Sequence, residues 1–238
     1  MKRLRIAIDG PGGAGKSTIA RRVARALGIA YLDTGAMYRA AGLAAARQGL
    51  EPQDEAEIEA LLETLDLTVV FDEEGQDICL DGERLGDQIR TPEASRWASD
   101  ISRLPACRHK MVALQRRLAS GQDLVMDGRD IGSYVLPDAE IKIYLDASLE
   151  ERARRRLKQE RELDPQATLE SVARDLAWRD RQDSERELAP LVCTPEHHRL
   201  DSTANTADET TAAVLAWIYS QYPERIRSDQ ETGGANGG

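Results

Sequence analysis

A glycine-rich segment near the start of the chain has the residue types and the spacing of a phosphate-binding loop. It matches the pattern G-x-x-x-x-G-K-[ST] and, with the residue that follows, consists of Gly10, Pro11, Gly12, Gly13, Ala14, Gly15, Lys16, Ser17 and Thr18. Glycines at this spacing let backbone N–H groups surround a phosphate, and the helix that follows presents its positive end to the same group. The lysine of this pattern reaches the β- and γ-phosphates, and the serine hydroxyl can bind Mg²⁺. The segment therefore predicts the binding of a nucleoside triphosphate.

Other parts of the sequence narrow the class of nucleotide-binding protein. A GTPase needs the base-reading pattern N-K-x-D, but the two asparagines of this chain, Asn205 and Asn236, lie in Asn-Thr-Ala and Asn-Gly-Gly. A motor or transporter ATPase has a longer apolar strand that ends in Asp-Glu, whereas Leu124-Val125-Met126-Asp127 is followed by glycine. A small kinase is the class that remains.

The chemistry of the acceptor decides which residues such a kinase needs. A hydroxyl acceptor requires a nearby carboxylate that takes up its proton. A nucleoside monophosphate needs no such base, because its phosphate, with a second pKa of about 6, is already a dianionic nucleophile near neutral pH. It needs arginines instead, which hold two mutually repelling anions in line.

Three segments supply arginines of this kind. The first ends one predicted strand and opens a helix, the second follows a strand at the end where ligands bind in open α/β sheets, and the third spaces its charges along one helical face. Their candidate residues are Thr34 and Arg39 in the first, Asp127, Arg129 and Asp130 in the second, and Arg179, Asp183 and Arg186 in the third. Each segment also has a purely structural interpretation: an ordinary turn, a local ion pair, or a solvated helix face laced with salt bridges.

A fourth basic segment, residues 152–161, allows two interpretations. One is a solvated helix whose arginines pair with neighbouring glutamates. The other is a lid whose arginines, Arg155 and Arg156 among them, close over the transferring phosphoryl group. A nucleic-acid surface is disfavoured, because no aromatic residues are interleaved with the charges.

Alternating strands and helices must position these residues. Apolar runs predict strands at 4–8, 29–32, 123–126, 141–145 and 199–200, and helical periodicity predicts helices at 19–27, 36–47, 105–119, 149–162, 168–184 and 207–221. Ser148 with Glu151, and Thr206 with Glu209, have the spacing of capping boxes, and Gly121 is expected just past the end of its helix. This alternation predicts an α/β protein: a P-loop three-layer fold with a parallel sheet flanked by helices.

Residues 51–87 break the alternation. A helix at 54–65 is followed by short runs at 67–71 and 78–80, with turns at 73–76 and 81–82, which predicts a small antiparallel insert. The segment holds 14 acidic residues against Arg84 alone, so it is more acidic than the whole chain, whose net charge is −10. We therefore expect one domain over residues 1–227, with the insert at about 51–90, a short helical lid at about 149–165, and a disordered tail at 228–238.

Composition excludes several other classes of protein. Three scattered cysteines, Cys79, Cys107 and Cys193, predict neither a disulfide framework nor a metal site. No apolar run has the length of a membrane span, and the acidic balance argues against non-specific binding to nucleic acid or membranes. We expect a cytoplasmic protein whose partners are small molecules.

The motifs in their order along the chain resemble those of bacterial cytidylate kinases. They are IDGPGGAGKST, YLDTGAMYRA, GDQIRT, DGRDIG, KIYLDAS-EERA-RR and RD-QDS-R--APL, and the resemblance covers about residues 3–222. It implies a nucleoside monophosphate kinase that transfers the γ-phosphoryl group of ATP to CMP or dCMP with Mg²⁺, giving CDP or dCDP and ADP. It also implies a monomer, and it identifies the acidic segment with the monophosphate-binding insert of that family.

The resemblance assigns roles to individual residues. The CMP phosphate would be held by Thr34, Arg39, Arg129 and Arg186; the base by Ser99, Arg108 and Asp130; the ribose by Arg179 and Asp183; the γ-phosphoryl group by Lys16, Arg129, Arg155 and Arg156; and Mg²⁺ by Ser17 and Asp127. Base reading by Asp130 and Arg108 makes physical sense, because a carboxylate accepts from the N4 amine of cytosine and an arginine donates to N3 and O2. Uracil presents an acceptor at O4, so it should be rejected.

Two alternatives remain at this point. The chain could be a small kinase for a different monophosphate, or a regulator that binds nucleotides without turnover. The intact Lys16-Ser17 pair and the arginine clusters argue against the regulator.

Overall fold

A computed structural model describes residues 3–72, 75–162 and 164–223 of the chain. Its elements are β1 (Arg5–Asp9), α1 (Lys16–Leu27), β2 (Ala30–Asp33), α2 (Thr34–Arg47), α3 (Glu55–Thr64), β3 (Leu67–Asp72), β4 (Gly75–Leu80), β5 (Glu83–Arg84), α4 (Pro92–Ile101), α5 (Pro105–Gly121), β6 (Leu124–Asp127), β7 (Ile141–Asp146), α6 (Leu149–Glu160), α7 (Leu169–Glu185), β8 (His198–Asp201) and α8 (Ala207–Gln221). A short 3-10 helix at Gly86–Ile89 and a π-helical turn at Ile131–Val135 complete them.

The main sheet has five parallel strands in the order β2-β6-β1-β7-β8. Its central strands are apolar and buried, as expected for a parallel sheet covered on both faces. Side chains alternate between the two faces: Ile6 and Ile8 pack in the hydrophobic cluster that includes Ile19 and Val214, whereas Ala7 packs in the cluster that includes Met37. The predicted α/β fold with a parallel sheet flanked by helices is confirmed.

The insert is a helix and a second, antiparallel sheet in the order β3-β4-β5. Asp81 and Gly82 both have positive φ, 50° and 79°, which is the backbone geometry of the tight turn predicted at this point. Leu67, Ile78 and Leu80 pack into the same hydrophobic cluster as α2 and α5, so the insert shares the core of the main sheet. The other predicted turn includes residues 73 and 74, which lie outside the described residues.

Helix termini confirm some sequence predictions and correct others. Thr206 and Glu209 form the predicted capping box at the start of α8. At α6 the box is only half formed: the Ser148 side chain accepts from the Glu151 N–H, but the Glu151 carboxylate binds Arg155 instead of turning back to the cap. Gly121 was expected past the end of α5 and is its last residue.

One α-helix of the structure was not predicted, and one predicted segment lies outside the described residues. Helix α4 was not predicted, although Thr91 caps its first turn and Pro92 occupies its first position, both typical of a helix start. The predicted tail at 228–238, and the domain boundary at 227, lie outside the described residues. Within the described ranges, no helix combines the length and apolar character needed to cross a bilayer.

Candidate active site

The P-loop (residues 10–17) connects β1 to α1, and its backbone requires glycine. Gly10 has φ 147°, and a Cβ atom there would lie 2.0 Å from the carbonyl oxygen of Leu145 on β7. Gly15, at the N-terminal end of α1, has φ 93° and no side chain to occupy the first N–H groups of the helix. These N–H groups are therefore available to an anion.

Lys16 is the buried cation of this loop. Its ammonium group donates to the carbonyl oxygen of Pro11 at 2.7 Å. Burial, and then the charge of Arg129, lower the pKa of Lys16 to about 7, although Asp127 and two further carboxylates oppose this shift. An anionic ligand at the P-loop would restore the charged form of the lysine.

Asp127, at the end of β6, accepts hydrogen bonds from hydroxyl groups of three elements. Its carboxylate accepts from Ser17 at 3.1 Å and from Tyr31 at 2.8 Å, and its backbone oxygen accepts from Thr34 at 2.7 Å. Burial, and then the charge of Asp33, raise the pKa of Asp127 to about 6. A cation at this point would favour the ionised carboxylate.

Ser17 and Asp127 fit a magnesium ion in their donor chemistry. Both offer hard oxygen atoms, lie within hydrogen-bonding distance of each other and line the same cleft. No group of three or more His, Cys, Asp or Glu side chains in the described part of the chain is placed to hold a metal. Mg²⁺ commonly uses only one or two protein ligands together with substrate phosphates, so this pair is a sufficient protein contribution.

Arg39 projects from α2 beside the end of β2. It forms an ion pair with Asp33 at 2.8 Å, and the other oxygen of Asp33 caps α2 by accepting from Ala36 N–H. The backbone of Asp33 is in turn bound by Gln76 of β4, which accepts from its N–H at 2.5 Å and donates to its carbonyl oxygen at 3.3 Å. The insert is thus hydrogen-bonded to the strand end that carries Arg39.

Two further arginines converge on Asp183 of α7. Arg129, which follows β6, donates from Nε to Asp183 at 2.8 Å, and Arg186 lies 3.7 Å from the other carboxylate oxygen. Burial lowers the pKa of Arg186, so it is a desolvated cation held near a carboxylate. Arg129 and Arg186, two of the arginines predicted to bind a phosphate, are therefore brought together from different parts of the chain.

A buried ion pair also lines the cleft. Arg108 of α5 binds Asp130, and their side chains are only 1% and 7% exposed. Burial raises the pKa of Asp130, while the charges of Arg108 and Arg186 act in the opposite direction. Ser99 of α4 also lines the cleft, and its carbonyl oxygen accepts from Ser102 at 2.9 Å.

Arginines of helix α6 pair with glutamates, and two of them also lie at the cleft. Arg155 and Arg156 pair with Glu151 and Glu160, at 2.9 and 2.8 Å, and both arginines line the cleft. Arg154, by contrast, is 59% exposed and pairs with Glu150 outside the cleft. Burial, and then the charge of Arg156, lower the pKa of Arg179, which indicates that cations of α6 and α7 approach one another.

These groups line one cleft of about 790 Å³. Every predicted site residue except Gly10 and Pro11 is among its lining residues. Clefts of this size hold small ligands and nucleotides, so the structure brings the predicted triphosphate and acceptor residues together.

Several contacts of the P-loop and its surroundings are not indicated by the sequence. Arg152 donates to the carbonyl oxygen of Gly12 at 3.0 Å and to Asp180 at 2.6 Å, and Asp180 accepts from Gly12 N–H at 3.3 Å. The turn at Ser202–Thr206 also lines the cleft beside the P-loop. Arg152 belongs to the basic run noted above, but its partners lie far away along the chain and no local pattern identifies them.

Comparison with known proteins identifies the family. A sequence profile described as cytidylate kinase matches residues 6–220. The chain belongs to the cytidylate kinase family. The resemblance inferred from the motifs is therefore confirmed over nearly the whole described chain.

Relatives within the cytidylate kinase family align with about nine-tenths of this chain and with nearly all of their own length. The cytidylate kinase of Halalkalibacterium halodurans is 42% identical over 218 residues, which cover 92% of this chain and 98% of the relative. That of Symbiobacterium thermophilum is 45% identical over 218 residues, covering 90% and 95%. Among solved structures, an uncharacterized protein from Eubacterium ventriosum matches with a TM-score of 0.53 and 13% identity, covering 92% of this chain and 99% of its own. At this level of identity the match supports the fold alone.

Proposed function

We propose that this protein transfers the γ-phosphoryl group of ATP to CMP or dCMP, giving ADP and CDP or dCDP. The observation that carries the proposal is that one cleft is lined by the P-loop, by the buried Arg108–Asp130 pair and by three arginines suited to a monophosphate. Membership of the cytidylate kinase family supports the same activity. The reaction is an in-line displacement in which the protein positions the two nucleotides and neutralises charge.

The triphosphate binds at the P-loop. Free N–H groups at the start of α1 surround the phosphates, and Lys16 leaves the carbonyl oxygen of Pro11 to meet the β- and γ-phosphates. The polyanion raises the depressed pKa of Lys16, so the lysine is charged when the γ-phosphoryl group moves. Arg155 and Arg156 approach from α6 and stabilise the negative charge on the transferring group.

The monophosphate binds opposite, with its phosphate among Arg39, Arg129 and Arg186. Its dianionic form attacks without losing a proton, so the site needs no general base. The ribose hydroxyls lie near Arg179 and Asp183, and Thr34 contributes a hydroxyl beside the phosphate. Holding the acceptor oxygen in line with the γ-phosphoryl group is the main contribution of these residues.

Ser17 and Asp127 would hold Mg²⁺, with phosphate oxygens and water as the remaining ligands. When bound, the ion neutralises phosphate charge. Asp127 has the raised pKa of a buried carboxylate, and its hydrogen bonds from Ser17 and Tyr31 orient it toward this position.

Asp130 and Arg108 select the base. Asp130 has one oxygen bound to Arg108, which leaves the other to accept from the N4 amine of cytosine. Arg108 retains N–H groups that can donate to N3 or O2, and its Nε has no partner in the structure. Uracil places an acceptor against the carboxylate, and a buried site discriminates strongly against a mismatched group.

Three properties of the protein stay predictions: a single domain over residues 1–227, a monomeric state and a cytoplasmic location. Size-exclusion chromatography with light scattering measures the second directly, and fractionation of the source cells measures the third.

A coupled assay of ADP release tests the proposal. Purified protein with ATP and Mg²⁺ is offered CMP, dCMP, UMP, AMP or GMP, with a reaction lacking monophosphate as control. We expect CMP and dCMP to give the highest kcat/KM and EDTA to abolish turnover. Equal or better rates with UMP or AMP would contradict the base preference, and ATP binding without transfer to any monophosphate would contradict the activity itself.

A further inference from the structure

A fully buried pair of titratable side chains lies outside the cleft. His197 Nε2 is 3.2 Å from Asp9 Oδ2, and neither side chain has any exposed surface. Asp9 is the last residue of β1, directly before the P-loop, and His197 lies in the segment that connects α7 to β8. A buried carboxylate is unfavourable unless several donors surround it, so this pair needs a structural or functional reason.

The Asp9 carboxylate accepts hydrogen bonds from three donors. Oδ1 accepts from Ile131 N–H at 2.8 Å, and Oδ2 accepts from Gly132 N–H at 2.7 Å. The third donor is His197, since Thr194 N–H donates to its Nδ1 at 3.1 Å and a backbone amide can only donate. Nδ1 is therefore the acceptor nitrogen, and Nε2 carries the hydrogen that points to Asp9.

These contacts hold the turn that follows the base-reading carboxylate. Ile131 and Gly132 come directly after Asp130, whose own carbonyl oxygen accepts from Tyr134 and Val135 N–H at 2.9 and 3.0 Å. The turn also packs directly on the imidazole, because a Cβ at Gly132 would lie 2.8 Å from His197 Nε2. The Asp9–His197 pair is thus in direct contact with the backbone that follows Asp130.

The P-loop depends on this pair less. Strand β1 is hydrogen-bonded to β6 on one side and β7 on the other, and Gly10 packs on the carbonyl group of Leu145. Sheet hydrogen bonds therefore hold the loop even where Asp9 loses a donor. The turn at Ile131–Gly132 lies outside the sheet and has no equivalent support from strand pairing.

We propose that His197 is a positioning residue for base selection: it acts through Asp9 to hold the turn at Ile131–Gly132, and so keeps the Asp130 carboxylate oriented toward the base. The inference rests on the proposed function, since it concerns the acceptor of that reaction. Loss of the Nε2–H donor leaves Asp9 short of one partner and lets the turn shift, which weakens binding of CMP and its distinction from UMP.

A matched pair of substitutions separates the donor from the bulk of the ring. In His197→Gln the side-chain amide nitrogen can take the place of Nε2, whereas in His197→Asn the shorter amide takes the place of Nδ1 and leaves Asp9 without its donor. His198→Asn is the control, because the neighbouring His198 stacks on Trp217, with ring centroids 4.0 Å apart.

KM for CMP, KM for ATP and kcat are measured for each variant in the ADP-release assay. For His197→Asn we expect KM for CMP to rise roughly 10-fold, as for the loss of one hydrogen bond to a charged group. The CMP preference over UMP should fall by a similar factor, while KM for ATP and kcat at saturating CMP change less than about twofold. His197→Gln should restore KM for CMP to within about threefold of wild type.

A double-substitution cycle tests whether the effect passes through Asp9. In an Asp9→Asn background, His197→Asn should add little to KM for CMP, because coupled residues are not additive. A full additional effect in that background would overturn the proposal. So would an unchanged KM for CMP in a folded His197→Asn variant, or equal rises in KM for CMP and ATP.

Failure of this inference is distinguishable from failure of the proposed function. A wild-type protein that does not phosphorylate CMP refutes both. An active wild type whose His197 variants keep the CMP preference refutes the inference alone. Where His197→Asn does not fold, the unfolding temperature and KM for CMP of His197→Gln decide, since failure of the donor-retaining amide to keep KM for CMP near wild type contradicts the role of the donor.

Discussion

Replacing Asp130 with asparagine should shift the base preference from cytosine toward uracil. The substitution keeps the size of the side chain, and its carbonyl oxygen can still accept from Arg108. Its amide group then takes the place of the oxygen proposed to meet the base. A donor would thus face the N4 amine of cytosine, but the same donor would suit O4 of uracil.

The burial of the pair sets the size of the effect. Arg108 and Asp130 are 1% and 7% exposed, so water has little access to repair a mismatched hydrogen bond. A hydrogen bond to a charged group contributes about 1.5–3 kcal/mol, which corresponds to a fall of roughly 10- to 150-fold in kcat/KM for CMP. We expect kcat/KM for UMP to rise in the same variant, so the CMP/UMP ratio changes by more than either value alone.

The ADP-release assay with CMP and UMP measures this ratio. Asp138→Asn makes the same chemical change on a side chain that is 73% exposed, and its kinetics should equal wild type. Circular dichroism at the assay temperature checks that Asp130→Asn is folded, because weakening a buried ion pair also lowers Tm. A folded variant with CMP kinetics within about twofold of wild type and no gain with UMP would show that Asp130 does not read the base.

Three further predictions follow from the P-loop and its surroundings. Because the pKa of Lys16 is lowered to about 7, ATP binding at pH 8 should take up about one proton, measured by calorimetry in buffers of different ionisation enthalpy; no uptake would contradict a neutral lysine in the free protein. Gly10→Ala should lower the free energy of unfolding by at least about 1–3 kcal/mol, because the added Cβ would lie 2.0 Å from the Leu145 carbonyl oxygen. The control Gly121→Ala, which has open space around it, should change the free energy of unfolding by less than about 1 kcal/mol. Denaturant titrations measure both. Asp127→Asn should raise the Mg²⁺ concentration needed for half-maximal activity. Because the folded-state pKa of Asp127 is raised to about 6, the same substitution should also raise Tm above pH 6. This gain in Tm should shrink as the pH falls through 6, because the wild-type carboxylate then becomes protonated. A Tm difference that instead grew on acidification would contradict the sign of this shift.

Local patterns were sufficient to predict most of the fold. The P-loop lies between β1 and α1 as its sequence required, and the five predicted parallel strands form one sheet. Periodicity, caps and turn residues act over a few positions, so they can be identified along the chain. Helix α4 was not predicted because its ten residues offer only a short amphipathic stretch, although Thr91 and Pro92 are typical of a helix start.

Contacts between distant segments could not be predicted in this way. Asp9 and His197 are separated by 188 positions, and nothing beside either residue indicates a partner. The same holds for Asp180, which binds Gly12 and Arg152 through the approach of α7 to the P-loop. At α6, Glu151 could serve the cap or Arg155, and only the three-dimensional arrangement shows that it binds the arginine.

The carboxylates that accompany the acceptor arginines have a further consequence. Arg39 pairs with Asp33, and both Arg129 and Arg186 lie beside Asp183. A phosphate bound at the proposed acceptor site would therefore have to replace carboxylates that the fold already supplies. Binding there would be an exchange of counter-ions, and the phosphate group by itself would gain little over the carboxylate it displaces. A bare phosphate or sulfate ion lacks the sugar and base contacts that would favour the exchange. In the proposed site, this exchange would itself favour a nucleotide over an inorganic anion.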